Sequence, residues 1–152
     1  MTIELLLKHG FDFDTSMMGD DYTPYRVRQG DVITLDKPAV FGKETKLLEM
    51  PISWSLDDYP HFEFLRTPTT ILPGNMNANA VLGNWLDDFH YLDQNLEWGV
   101  ITYTFHPFVI GRGHRMAILD KLVTTLKEHG AVFMTLEDAA AEFEKRSLGQ
   151  AR

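Results

Sequence analysis

Runs with the two-residue period of a strand alternate with runs of helical period along most of this chain, and the strand-like runs are few. Residues 46–54 and 100–105 read as the main strands and 131–136 as another, with shorter stretches at 11–16 and 32–35. Helical periodicity covers 3–9, 77–95, 115–129 and 137–145. The second of these helices aligns Val81, Leu82, Trp85, Phe89 and Leu92 on one face; the third aligns Met116, Leu119, Leu122, Val123 and Leu126. Residues 19–42, rich in Gly, Pro, Asp and Tyr, read as loop. Such alternation builds a largely parallel sheet or barrel with helices outside. A closed barrel of the common design needs about eight strands and roughly 250 residues, and the chain has 152 residues. It reads as part of an α/β barrel. No repeat, low-complexity tract or linker divides it, so residues 1–152 are expected to form a single domain.

An open parallel sheet presents raw edges and a half-covered apolar face. A second chain is therefore expected to cover Met50, Ile52, Trp54, Ile101, Tyr103, Phe105, Val132 and Met134, making the protein a homo-oligomer. Hydrophobic residues make up 44% of the chain, enough for one core. The absence of cysteine excludes disulfides, thiolate metal ligands and a cysteine nucleophile. A formal net charge of -8 with scattered basic residues argues against a nucleic-acid partner. The apolar stretch 3–7 is too short for a signal peptide or a membrane span, so the expected location is cytoplasmic, with no membrane partner.

Chemistry concentrates at two strand ends. Residues 102–105 alternate up to His106, Pro107 stops the ladder, and a Gly111-Arg112 turn opens a helix. In α/β architectures the side chains at the carboxyl ends of strands face the reaction site, and a histidine there exchanges a proton near neutral pH. The plainer reading is a histidine satisfied by neighbouring backbone. The other strand end carries Trp54, Asp57, Asp58 and Tyr59, which suggests a shared pocket. Asp87 and His90 have an i, i+3 spacing that a metal accepts, with Asp88 beside them, but a solvated helix face is the plainer explanation, since a metal site needs three ligands and a supporting shell. Arg112, His114 and Arg115 form a small basic first turn, and no Gly-x-Ser-x-Gly elbow supports a serine nucleophile.

The segments EMPISWSLDDYPHFEF, ITYTFHPFVIGRGHRMAILDKLV and HGAVFMTLEDAAAEF, in that order, resemble the C-terminal portion of the polysaccharide deacetylase family (the nodulation-protein-B homology domain). The branch is the one with peptidoglycan-deacetylase-like and allantoinase-like members, and the opening ELLLKHGFDFDTSMMGDDYTPYRV is similar to it as well. The resemblance implies roughly the C-terminal half of a distorted seven- or eight-stranded (β/α) barrel. The family uses a divalent metal such as zinc to hydrolyse an acetamido or related amide bond of a carbohydrate or small amide. It also implies that His106 is the general acid, that Asp57 or Asp58 supports it, and that Trp54 and Tyr59 wall the substrate groove. Arg112 falls at a branch-specific turn, where a guanidinium holds a carbonyl or carboxylate.

The departures from the family lie on the metal side. The early Asp-Asp before a glycine and the His-x-x-x-His pair are absent, no Arg-x-Pro precedes the opening ELLLKHG segment, and no two histidines stand four apart. No metal or other cofactor is therefore expected to be held by this chain. Two readings follow from that: a deacetylase half completed by an N-terminal half and inactive alone, or a non-catalytic, self-associating half-barrel.

Overall fold

The computed structural model describes residues 2–63 and 65–150. In chain order the elements are α1 (Thr2–Lys8), β1 (Phe13–Asp14), β2 (Tyr25–Gln29), β3 (Lys43–Glu49), a 3-10 turn (Trp54–Leu56), α2 (Asp58–Phe62), β4 (Leu65–Arg66), β5 (Ile71–Leu72), α3 (Ala78–Asn95), α4 (Pro107–Ile110), α5 (Gly113–Glu128) and α6 (Leu136–Gln150). They form two compact units, Met1–Pro51 with Met134–Arg152, and Ile52–Phe133. Among the described residues no helix is long and apolar enough to cross a membrane.

The first unit holds a three-stranded sheet of order β1-β3-β2. The β1–β3 pairing is parallel, Phe13 opposite Leu48, and the β2–β3 pairing is antiparallel with a register shift between Arg26 and Arg28. At that shift the Thr45 hydroxyl donates to the Val27 carbonyl at 2.8 Å, so the irregularity leaves this acceptor satisfied. Leu47, Leu48 and Met50 are fully buried, and so is Glu49 between them. Its Oε1 accepts the Ser16 and Met17 N–H groups at 2.6 and 2.7 Å. Its Oε2 is buried with no partner among the described residues. Burial pushes the Glu49 carboxyl above its ordinary pKa, against the two N–H donors that pull it down.

The second unit packs around Trp85. Its core comprises Leu56, Phe62, Val81, Leu82, Trp85, Phe89, Val109, Ile110, Ile118, Leu122 and Leu126. Asn77 caps α3, its side chain accepting from the N–H groups of Asn79 and Ala80 at 3.0 and 3.2 Å. The face read from the sequence for α3 is the buried one, with Val81, Leu82, Trp85 and Phe89 inside. On α5 the phase differs. Ile118, Leu122 and Leu126, four residues apart, are buried, while Met116 and Val123 are exposed.

The strand expectations are corrected more heavily. The sheet is mixed rather than largely parallel. The strand expected over 46–54 begins earlier and stops at Glu49, because Pro51 has no N–H to donate and Ser53 opens the 3-10 turn. Residues 100–105 form no ladder; Thr104 makes a single parallel bridge to Asp57, and no described strand runs alongside. Ile101, Tyr103 and Phe105 pack onto the helical core instead. Residues 131–135 are not a strand, and Val132, Phe133 and Met134 are exposed. The 32–35 stretch contributes only one bridge, Val32 to Val40. Of the surface expected to need a partner, Met50 is buried within its own unit.

Candidate active site

The site assembles from two short chain segments of the second unit. Ser53 caps the 3-10 turn, accepting from the Ser55 N–H at 3.3 Å. Asp57 closes that turn and caps α2 in one step, its Oδ1 accepting the Tyr59 N–H at 2.7 Å. The parallel bridge follows. Asp58 N–H donates to the Thr104 carbonyl and Thr104 N–H to the Leu56 carbonyl, both at 3.0 Å. Three residues beyond Thr104, Pro107 begins α4 and fixes the turn. His106 stands at the N-cap of α4 without using its side chain as a cap, which leaves the ring free for another partner.

That partner is Asp58. His106 Nδ1 lies 2.7 Å from Asp58 Oδ1, and the His106 backbone N–H donates to Asp58 Oδ2 at 3.0 Å. The Asp58 side chain is fully buried, whereas that of His106 is 36% exposed. Asp57 Oδ1 lies farther off, 3.7 Å from Nδ1. Because a carboxylate accepts, Nδ1 carries the proton of this bond, and Nε2 is the nitrogen that exchanges one. The hydrogen bond from Asp58 raises the histidine's pKa above its ordinary value, outweighing desolvation, and the charges of Asp58 and Asp57 add to the rise.

Aromatic edges frame the imidazole. The Tyr59 and Phe108 rings meet it at centroid distances of 5.5 and 5.8 Å, both edge-on. Behind them, Trp85 Nε1 and His61 Nε2 both donate to the Ser55 carbonyl, at 3.0 and 2.8 Å. Tyr103 donates to the Trp85 carbonyl at 2.8 Å. The 3-10 turn that leads into Asp57 and Asp58 is thus pinned to α3 through Trp85.

The residues singled out in the sequence are distributed unevenly. Asp57, Asp58, Tyr59 and His106 come together. Trp54 is 64% exposed. Arg112 is exposed at the N-cap of α5, and its side chain makes no hydrogen bond or ion pair with a described residue. Arg115, read as part of a basic patch, is instead a structural tie: it donates to the Val109 carbonyl at 2.9 Å, approaches Glu63 at 3.4 Å and covers the Phe62 ring. Asp87 is exposed, Asp88 accepts from Ser55 at 3.3 Å, and His90 lies against the His129 ring, so these three do not converge. Phe108 went unread in the sequence. The available signal was an aromatic two residues past the histidine, just inside the proline-initiated turn.

Among the described residues, Asp57, Asp58 and His106 are the group whose ligand atoms converge, all within 4.8 Å of one another. They do not fit a resident divalent ion. Two ligands of one tetrahedral zinc stand about 3.3 Å apart, whereas Nδ1 and Oδ1 are at 2.7 Å, a hydrogen-bond distance. The second oxygen of Asp58 is already taken by the His106 N–H. The donor set is spent on itself.

No protein-family model matches the chain. The chain is 34% identical over 159 residues to the peptidoglycan deacetylase of Helicobacter pylori, covering 97% of this chain and 54% of that protein. It is 30% identical over 163 residues to the peptidoglycan deacetylase-like protein FGM2 of Gibberella zeae, covering 93% of this chain and 47% of that protein. A crystal structure from Mycobacterium smegmatis, assigned as a polysaccharide deacetylase, superposes with a TM-score of 0.70 at 22% identity, over 96% of this chain and 46% of that one. The chain thus spans about half the length of the curated relatives it matches.

Proposed function

Because this chain belongs to the polysaccharide deacetylase family, we propose that it supplies the acid side of a hydrolysis that removes acetyl groups from N-acetylated sugars of a polysaccharide such as peptidoglycan. In this reading the fold is part of the family's barrel, and the metal ligands and general base come from outside the described residues. The observation that carries the reading is the 2.7 Å contact between His106 Nδ1 and the fully buried Asp58 Oδ1, on a histidine side chain that is itself 36% exposed.

The chemistry follows from that pair. A tetrahedral intermediate on the acetamido carbon collapses when its C–N bond breaks, and the departing amine needs a proton. Protonated His106 delivers it from Nε2 to the nitrogen, and the electron pair of the broken bond receives it. Asp58 holds the ring by Nδ1–H, fixes its orientation and stabilises the imidazolium before transfer, the division of labour of other carboxylate–histidine pairs. Asp57, as cap of α2, keeps Asp58 in register and adds negative potential. Tyr59 and Phe108 offer edges against which an apolar sugar face packs. A divalent metal, if bound, would polarise the carbonyl, and its ligands would come from outside the Asp57, Asp58 and His106 group.

The test is acetate release from N-acetylated glycan strands. The chain is assayed alone and then co-expressed with the part of the Helicobacter pylori relative that it does not match. The chain alone is expected to be inactive and the pair active. His106→Ala in the active pair should lower kcat by about 10²–10⁴-fold with little change in KM. An unchanged kcat would remove the assignment, and full activity of the chain alone would overturn the division of the site.

A further inference from the structure

Two histidines meet where α3 packs against α5. His90 lies on α3 and His129 is the C-cap of α5, and their ring centroids are 5.4 Å apart. The Thr125 carbonyl accepts from both the backbone N–H of His129, at 3.1 Å, and its ring Nδ1–H, at 2.9 Å. Because a carbonyl only accepts, Nδ1 carries the proton and Nε2 keeps its lone pair. Histidines that hold a metal are anchored in this way, the second nitrogen donating to a backbone carbonyl or a carboxylate. His90 is half-buried, and its partners among the described residues are rings, Phe89 at 5.8 Å and His129. Neither of its nitrogens is committed to a described residue.

The spacing suits one ion held between the rings. An ion about 2.0–2.1 Å from each nitrogen, on the axis of its lone pair and with tetrahedral angles, sets two imidazole centroids about 5.2 Å apart. The observed separation is 5.4 Å. The electrostatics favour a cation as well. His129 closes the C-terminal end of α5, the negative end of its dipole. Residues 77–98 carry Asp87, Asp88, Asp93 and Glu97 and no Lys or Arg. Asp87 and Asp93 are exposed and stand three residues before and after His90, flanking it on the helix surface. Beside His129, Lys127 and Glu128 offset each other. Imidazole nitrogens select a borderline transition metal such as Zn²⁺ over Mg²⁺ or Ca²⁺, which take oxygen ligands.

We infer that His90 and His129 form a divalent transition-metal site, in which Zn²⁺ takes one nitrogen from each ring, fills its open positions with water and ties α3 to α5. The site shares no residue with the Asp58–His106 pair, and the inference does not depend on the deacetylase reading. The test is a Zn²⁺ titration of the untagged chain, followed by calorimetry and by the NMR ring resonances of its six histidines. One equivalent should bind, and His90 and His129 should shift together, ahead of His9, His61, His106 and His114. His90→Gln and His129→Gln should each weaken binding at least ~10-fold, since removing a ligand costs more than losing an outer-shell partner. Zn²⁺ should also raise the melting temperature of the wild type, by mass action on the folded state, and not that of either variant. Circular dichroism of the metal-free variants checks that they fold; should one unfold, the ring resonances of the wild type decide. No binding up to ~1 mM Zn²⁺ would reduce the pair to ring packing and overturn the inference, as would binding that survives either substitution or that shifts His106 first.

Discussion

Among the described residues two carboxylates are wholly buried, Asp58 in the second unit and Glu49 in the first, and they are treated in opposite ways. Asp58 has both oxygens engaged by one residue, the backbone N–H and ring of His106. Glu49 has one oxygen engaged twice, by Ser16 and Met17, and the other buried without a partner among the described residues. The consequence for proton affinity differs as well. The Asp58 carboxylate passes its influence outward, raising the pKa of a histidine that reaches solvent. Glu49 keeps its influence local: burial raises its own pKa, and its hydrogen bonds hold a loop. A buried charge with a titratable, part-exposed partner is a device for moving a proton. A buried carboxyl with only backbone partners is a fastener.

Removing each carboxylate should show the contrast most strongly. Asp58→Ala strands the His106 N–H and the ring proton beside a buried void. It should destabilise the fold by about 3 kcal/mol, since hydrogen bonds to charged groups are worth the most. Glu49→Ala strands the two loop N–H groups and should cost about 2 kcal/mol. Chemical denaturation near pH 6 measures both, and a larger loss for Glu49→Ala would reverse the comparison.

A smaller effect separates the two by pH. Glu49 has a folded pKa above its unfolded value, so its contribution to stability is fully present below the unfolded pKa and is lost as pH rises through the folded one. Glu49→Gln keeps an oxygen for the two N–H donors and removes the titration. The wild type should therefore lose stability relative to Glu49→Gln as pH rises through the upper carboxylate range, and the two curves should converge in acid. His106 obeys the same sign in a higher window, beginning near its ordinary value of about 6.5. Parallel stability curves for wild type and Glu49→Gln would mean that burial does not control Glu49.

The sequence reading succeeded where structure is set locally. Helix α3 and its buried face are legible because a helix satisfies its own backbone and its periodicity needs no partner. Strands need neighbours, so the alternation at 100–105 and 131–136 predicted ladders that the described chain has no strands to complete. The site was half legible. His106, Asp57 and Asp58 stood out as side chains at the ends of extended runs. Which aspartate faces the histidine was not, because adjacent residues differ only in direction, and direction was set by the bridge between Asp57 and Thr104 and by capping of α2. Glu49 carried a signal that went unused: a lone carboxylate among Leu47, Leu48 and Met50, all of which are buried.

The central claim is that Asp58 tunes His106 as a proton donor, and the most direct measurement is the titration of the His106 ring by NMR in the wild type and in Asp58→Asn. The account predicts a wild-type pKa above the ordinary histidine value and a clear fall in Asp58→Asn, where the hydrogen bond to a charged acceptor is gone. Asp57→Asn should give a smaller fall, because that carboxylate is 3.7 Å away and acts through charge alone. A His106 pKa that does not move in Asp58→Asn, or that moves more in Asp57→Asn, would contradict the account.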